Sequence, residues 1–422
     1  MEKQIVLILG KGGREHALAR KCSKSPLCKQ VYVIPGNDGM KNCATVVKDI
    51  DYENPLSILN FAIQNKVTLT IVGDEMFLEK GVVDLFDKNQ LKIFGPTKEA
   101  AKIESSKIFA KNIFEKYNIP TADFIATDDK EVALNFLNQN KKYPIVIKND
   151  GLASGKGVFI INSLIEAKNV INSIFDENIF NNDNCGVVIE EFLEGKEFSL
   201  LAIVNNNSYL TLQPAKDYKK IFDNDLGSNT GGMGCYTPVD YVTKDIINFC
   251  NKEIIEKTIK ALKNEGINYK GVLYAGLMLT NNNEVKVIEF NSRFGDPETE
   301  VLMPAMKSDL VEVILNILDE NILEVNWHNE NFVGVTIASE GYPGDYKTNI
   351  KIANKNKLIN DEFIYHMGTK YNEKNDFFES NGGRVLFIVN KDINKSSCIN
   401  NLYKKIEDFN FNKFYYRKDI GK

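Results

Sequence analysis

Apolar residues recur in two rhythms along this chain. Over the first hundred residues, short and largely apolar runs at 5–9, 31–34, 69–72 and 93–94 alternate with stretches of helical spacing. Runs of that length predict strands buried on both faces. Strands alternating with helices predict a parallel, doubly wound sheet. Gly95-Pro96-Thr97 closes this unit, and a charged helix is expected from about 98 to 117. A smaller α/β piece from 122 to about 189 carries YPIVIKNDGLASGKG. From 190 to about 326 the signals turn hairpin-like. Asn205-Asn206-Asn207 and Asn281-Asn282-Asn283 each separate a pair of alternating apolar runs, as turn residues do. Beyond Trp327 a last unit holds strand-like runs at 333–338 and 384–389, with a turn at Gly341-Tyr342-Pro343-Gly344. The Asn-rich patch at 181–184 reads as a surface loop.

Length turns this pattern into several domains, since 422 residues exceed a single core. With a net charge of -5, and lysines interleaved with acids, a phosphate-tracking groove for nucleic acid is not expected. No apolar run approaches a membrane span, and the N-terminal apolar stretch reads as a first strand rather than a signal peptide. Seven cysteines without a C-x-x-C pair, and three scattered histidines, fit reduced thiols in the cytoplasm rather than disulfides or a zinc site.

Two glycine loops fail familiar tests, and the failures inform. Gly10-Lys11-Gly12-Gly13-Arg14-Glu15 follows a strand and opens a helix, where a Rossmann fold binds pyrophosphate on backbone N–H groups. The dinucleotide fingerprint needs glycine at position 15, which is Glu15, and the second strand runs into Pro35-Gly36-Asn37 where a ribose-binding acid should stand. A nicotinamide cofactor is therefore not expected, while a phosphate-bearing ligand remains open, beside the plain alternative of a tight turn. The second loop, Gly151-Leu152-Ala153-Ser154-Gly155-Lys156-Gly157, is one residue short of a Walker A motif and ends in Gly157 instead of Ser or Thr. Flanked by Lys148 and containing Lys156, it suits a lid over nucleotide phosphates better than a simple hairpin turn.

The richest constellation is Val287-Ile288-Glu289-Phe290-Asn291-Ser292-Arg293. At a period of two, Glu289, Asn291 and Arg293 should share one face, with Ile288 and Phe290 on the other. A carboxylate and an amide oxygen are hard ligands suited to Mg²⁺ between triphosphate oxygens. Arg293 can hold a carboxylate or a phosphoryl group in a two-pronged grip. Gly295-Asp296-Pro297-Glu298-Thr299-Glu300 adds a turn and more acid. A second run, ending in Glu190-Glu191-Phe192-Leu193, offers backbone to an adenine edge, with Glu197 within reach of ribose hydroxyls, although acids after strands are also common surface features.

In this order, a lid lysine, a glycine loop, E-E-F-L and E-F-N-x-R resemble the ATP-grasp superfamily. Within it, GKGGREHALA, KIFGPTKEAA, IVIKNDGLASGKGV, IEEFLEGKEFS, NTGGMG, YAGLM, VIEFNSRFGDPETE, MKSDL and GYPGDY resemble the phosphoribosylamine–glycine ligase family, co-linear over essentially the whole chain. The resemblance implies an α/β and α+β multidomain fold. A Rossmann-like substrate domain would span 1–104, an ATP-grasp core 105–121 and 190–326, a lid subdomain 122–189, and a small C-terminal α+β domain 327–422. It implies ligation of glycine to 5-phosphoribosylamine, with ATP as cosubstrate, Mg²⁺ or Mn²⁺ as cofactor, and a glycyl phosphate intermediate. It also implies a monomer that acts on small molecules, with no nucleic acid or membrane partner.

Carried over by motif, Lys107 and Lys148 would hold nucleotide phosphates together with Gly151, Ser154, Gly155, Lys156 and Gly157. Backbone from Glu190 through Glu191 and Phe192 to Leu193 would read adenine, and Glu197 the ribose. Glu289 and Asn291 would bind the metal, while Arg293, Lys148 and Asp217 would be catalytic. Gly12, Gly13, Asn37 and Glu75 would face Asn229, Thr230, Gly231 and Gly232 across the substrate pocket, joined by Arg293 and Asp296. Departures from the family pattern are Asp74 for Pro, Tyr218 for His, Lys220 for Arg, Ser228 for Pro and Ser292 for Cys. They bear on substrate affinity rather than reaction class.

Three rival readings make different demands. Another ATP-grasp ligase would share the lid and metal strand but not the first-domain and NTGGMG motifs. A nucleotide-binding module without catalysis would show damage at Lys148, Glu289 or Asn291, and all three are intact. A dinucleotide-dependent oxidoreductase fails at Glu15.

Overall fold

The computed structural model describes residues 3–151, 157–180, 185–352 and 355–422. The first five strands form a parallel sheet in which the order along the sheet is third, second, first, fourth, fifth. The first strand, Gln4–Gly10, pairs with Cys28–Pro35 on one side and Leu69–Val72 on the other, so the strand order reverses beside it. At such a switch point the loops beyond the strand ends diverge and leave a crevice. Helix Gly13–Ser23 starts there.

The lid sheet runs Phe124–Thr127, Val187–Glu191, Ile145–Asn149, Val158–Ile161, all antiparallel. Its apolar face packs on helices Lys130–Gln139 and Leu164–Phe175. The core sheet is antiparallel in the order Ser208–Thr211, Gly195–Asn205, Lys270–Thr280, Val285–Asn291, two hairpins joined through their long inner strands. Both asparagine turns fall where expected, with Asn206 and Asn283 at positive φ, a conformation Asn tolerates.

A further sheet gathers Lys216–Asp217, Gly234–Thr237, Asn331–Ser339, Arg384–Asp392 and Ile364–His366. Strands from the two sides of residue 327 therefore share one sheet, and NTGGMG enters it directly. No helix among the described residues is long and apolar enough to cross a membrane.

Two local features differ from the sequence reading. The helix expected over 98–117 is two helices, Lys102–Ser105 and Lys107–Lys116, broken at Ser106. Ser106 is extended and caps the second helix by accepting from the Phe109 N–H, while Asp150 accepts from the Ile108 N–H at 3.2 Å. The side chain of Ser106 donates to Asp150 at 3.2 Å. Capping groups satisfy helix-end donors better than an unbroken charged helix would, and they tie Lys107 to the lid strand.

The second difference is in the acidic strand. Gly276 faces Glu289 while Leu277 faces Val287, so Ile288 is a bulge residue without a cross-strand partner. Val285, Val287 and Phe290 enter the core, but Ile288 turns to the cleft with Glu289 and Asn291. Strict alternation would put Ile288 on the opposite face.

Candidate active site

A cleft of about 1350 Å³ runs between the lid and core sheets and on to the switch point of the first sheet. At the lid end its walls are apolar, with Val146, Val158, Val188, Phe192, Met278 and Ile288 facing one another. The strand Val187–Glu191 is central, paired on both sides through Glu190. The Glu191 N–H donates to the Asp123 carbonyl at 2.9 Å, so the backbone leaves the sheet only beyond it, at Phe192 and Leu193. Glu190, expected to offer backbone, instead contributes its side chain. One carboxylate oxygen lies 2.5 Å from Lys148 Nζ and the other 2.6 Å from Lys111 Nζ. Lys148 also donates to the carbonyl of bulged Ile288 at 2.9 Å, and Lys107 to the Gly151 carbonyl at 2.9 Å. Gly157 lines the cleft, whereas Ser154, Gly155 and Lys156 lie outside the described residues, as does the patch at 181–184.

At mid-cleft sits Glu289. Burial alone raises its pKa, but Lys219, Lys148, Lys107 and Arg293 outweigh burial and hold it at about 2. Lys219 Nζ is 3.6 Å from Glu289 and 3.9 Å from Glu197. The carboxylate is thus ionised at any physiological pH, with Asn291 two residues on along the same cleft wall. Among the described residues no group of three or more His, Cys, Asp or Glu is placed to hold a metal. Glu289 and Asn291 present two oxygen donors on one wall of the cleft, a set too small to enclose a cation without phosphates or water.

The far end is assembled from three domains. Arg293 donates to Glu75 at 3.0 Å and lies 3.3 Å from Glu104. Burial raises the Glu75 carboxyl, but Arg293 and Arg14 hold it at about 2. Ser292 donates both its N–H and its hydroxyl to Glu104, at 2.8 and 2.7 Å. From the C-terminal domain, Arg384 reaches Asp296 at 2.7 Å and donates to the Gly231 carbonyl at 2.6 Å.

Asp217 is buried, and its pKa is raised well above the usual range by burial and by Glu298. Glu298 in turn accepts from Ser199 at 2.9 Å and Tyr274 at 2.5 Å. Asn229, Thr230 and Gly231 line the cleft with Asp296. Gly232 stands behind them at φ +116°, where a side chain would meet Pro297 and Asp217.

Why the first glycine loop departs from a dinucleotide fingerprint is now visible. The Glu15 carboxylate folds back to accept from the Gly12 N–H at 2.6 Å and fills the crevice, lying where a Cβ on Gly10 or Gly73 would stand. A pyrophosphate has no room there and would meet a carboxylate. Gly12 lines the cleft, but Gly13 is behind it against Glu300. Asn37 lines the cleft too, yet its amide donates to the Lys11 and His366 carbonyls at 2.8 and 2.9 Å and accepts from Gly39. Its side chain braces the first domain against the last rather than standing open to a ligand.

Sequence reasoning missed Lys111, Glu104, Arg14, Lys219 and Arg384. Only Lys111 carried a signal, its i, i+4 spacing from Lys107 on one helix face. The others reach the cleft through tertiary contacts between segments distant in sequence. Two departures also gain a setting. Asp74 caps helix Glu75–Glu79 by accepting from Met76. Tyr218 accepts from the Gly421 N–H and lies under the Arg417 guanidinium.

Comparison with known proteins agrees with this layout. Family models described as phosphoribosylglycinamide synthetase match nearly the whole length: the N domain at 4–104, the ATP-grasp (A) domain at 105–299 and the C domain at 332–422. A phosphoribosylamine–glycine ligase from Caldanaerobacter subterraneus subsp. tengcongensis is 45% identical, covering 99% of each chain. The crystal structure of a phosphoribosylamine–glycine ligase from Thermotoga maritima superposes with a TM-score of 0.85 at 32% identity, covering 98% of this chain and 99% of that one. The biotin carboxylase domain of the Hydrogenobacter thermophilus 2-oxoglutarate carboxylase superposes with a TM-score of 0.75 at 14% identity, covering 98% and 92%, a likeness of fold alone.

Proposed function

The chain belongs to the phosphoribosylglycinamide synthetase family, ATP-dependent ligases of purine biosynthesis, and from that premise we propose how its cleft makes glycinamide ribonucleotide from glycine and 5-phosphoribosylamine. The observation that carries the reading is Glu289, an ionised carboxylate on which Lys219, Lys148, Lys107 and Arg293 converge.

A carboxylate is a poor electrophile, so the glycine carboxylate first attacks the γ-phosphorus of ATP, the β–γ bridging P–O bond breaks, and glycyl phosphate forms as ADP leaves. Two anions must meet in that step. Lys107 and Lys148 hold the phosphate oxygens, and Arg293 faces the transferring group, so positive charge is in place before the negative charge develops. The base stacks in the apolar slot against backbone at Phe192 and Leu193, with Glu197 at the ribose. Glu289 and Asn291 would hold a divalent cation, Mg²⁺ or Mn²⁺, which when bound would supply Lewis-acid withdrawal of charge from the phosphates. The phosphoribosylamine nitrogen then attacks the acyl carbon and expels phosphate. Gly12, Asn229, Thr230, Gly231 and Asp296 form the pocket for that second substrate, with Asp217 behind them and Glu75 orienting Arg293. Asn37 and Gly232 shape its walls. The reading is of a monomer in the cytoplasm, a compartment that suits seven free cysteines.

The test is ADP release by the purified chain with ATP and Mg²⁺, with glycine and phosphoribosylamine present together, singly and not at all. Release should require both, and Glu289→Ala should lower it by about a thousandfold or more. Equal release without either substrate would show an ATPase whose acceptor has been misread.

A further inference from the structure

We infer that Lys111, which takes no part in the steps above, is a positioning residue that keeps the charge of Lys148 available to the nucleotide. A lysine in the middle of an amphipathic helix is ordinarily solvated, yet the Lys111 side chain is only 4% exposed. It donates to Thr121 at 2.7 Å, stands 4.8 Å over the Phe124 ring, and pairs with Glu190 at 2.6 Å. Glu190 passes the contact to Lys148 at 2.5 Å, and Lys148 to the Ile288 carbonyl at 2.9 Å. Thr121 meanwhile donates to the Val287 carbonyl at 2.8 Å, next to the bulge. The row Lys111–Glu190–Lys148 thus joins the helix behind the cleft to two lid strands and to the metal-binding strand of the core.

Charge counting gives the row its purpose. Glu190 alone fixes Lys148 in direction but cancels its charge, and in a buried setting that cancellation is barely screened. Lys111 sets a second positive charge 2.6 Å from the other carboxylate oxygen and returns the row to a net charge of one positive unit. Lys148 is then held in place and still attracts phosphate. A packing role for Lys111 would be indifferent to that sum.

The inference rests on the reading of Lys148 as a phosphate-holding group, so the experiment separates the two. Binding of MgADP to the full chain is measured by calorimetry, with the KM for glycine recorded alongside. Lys111→Met should weaken MgADP by about tenfold or more, because the row becomes neutral. Glu190→Gln added to Lys111→Met restores one positive charge and should bring binding back to within about threefold of the unaltered chain. The glycine KM should not move in either variant.

A double variant as weak as Lys111→Met overturns the inference and assigns Lys111 to packing or to direct nucleotide contact. Unchanged MgADP binding in Lys148→Ala overturns the reading of Lys148 and the inference with it. Should Lys111→Met not fold, Lys111→Gln carries the test, since it keeps a polar group beside Thr121 and Glu190 but removes the charge. MgADP should again weaken by about tenfold, and unchanged binding overturns the inference.

Discussion

The two ends of the cleft hold their cations in opposite ways. At the nucleotide end, Lys107 and Lys148 donate to the carbonyls of Gly151 and Ile288, and a single carboxylate, Glu190, is shared between two lysines. At the substrate end every arginine has a carboxylate close at hand: Arg14 with Glu15 at 2.5 Å, Arg293 with Glu75 and Glu104, Arg384 with Asp296, and Glu75 also lies 3.9 Å from Arg14. An ammonium on a rotatable stem can leave a neutral carbonyl for a phosphate, whereas a guanidinium paired with a carboxylate is a fixed strut. One end presents surplus charge to its ligand, and the other presents shape with its charge largely matched.

If that contrast is right, removing a strut should damage one end alone. Arg384→Ala strands Asp296, whose side chain is 13% exposed, and frees the exposed Gly231 carbonyl. Loss of one partner from such a partly buried pair costs about 2–3 kcal/mol of stability, less than from a fully buried one. The expected outcome is a lower midpoint in urea unfolding, and a KM for phosphoribosylamine raised about tenfold or more, with MgADP affinity unchanged. Equal losses in nucleotide and amine binding would break the comparison, showing the two ends to be one coupled unit.

A smaller effect comes from the seam that carries the substrate end. His366 lies in the last domain, its N–H donates to Nδ1 of His16 in the first at 2.9 Å, and Asn37 donates to its carbonyl. Burial, reinforced by Arg20, lowers the His366 pKa from 6.5 to about 3. The unfolded chain therefore binds the proton between those values and the folded chain does not. Stability tied to His366 is whole above about pH 6.5 and falls as pH drops toward 3, with a limiting slope of about 1.4 kcal/mol per pH unit. His366→Gln should flatten that portion of the urea-stability profile. A profile of unchanged slope would mean that the seam opens before the histidine titrates.

The contrast also explains what could be read from the sequence. The nucleotide end is written in short segments: Glu289 and Asn291 two apart on one strand, Lys148 at a strand end, Glu190 to Leu193 in one run. Local periodicity reaches such groups. It failed at Ile288, because a single inserted residue leaves no mark in an apolar run, and at Glu190, whose carboxylate is drawn in by Lys111 and Lys148 from other segments. The substrate end is written in pairs some 90 to 280 residues apart, Arg384 with Asp296 and Arg14 with the Phe294 carbonyl. No spacing rule connects them. Glu15 is the instructive exception. Its misfit with the dinucleotide pattern was legible in one line of sequence, and the structure shows the misfit filling the very crevice that a dinucleotide would need.

The smallest expected effect is at Asp74, and it is the finest test of whether the struts are independent. Asp74 caps a five-residue helix that begins with Glu75, and its carboxylate stands 3.9 Å from Arg14. The side chain is 30% exposed, so that ion pair contributes little, and the cap contributes more. Asp74→Ala should cost about 1 kcal/mol of stability. Glu75 stays ionised and held by Arg293 at 3.0 Å, so the KM for phosphoribosylamine should stay within about twofold, near the limit of what a mutant comparison resolves. A Tm shift without a KM shift makes the cap structural and leaves each strut to its carboxylates. A KM rise without a Tm shift would mean that Asp74 sets the position of Glu75 at the substrate. The matched charge at this end would then serve recognition as well as the frame.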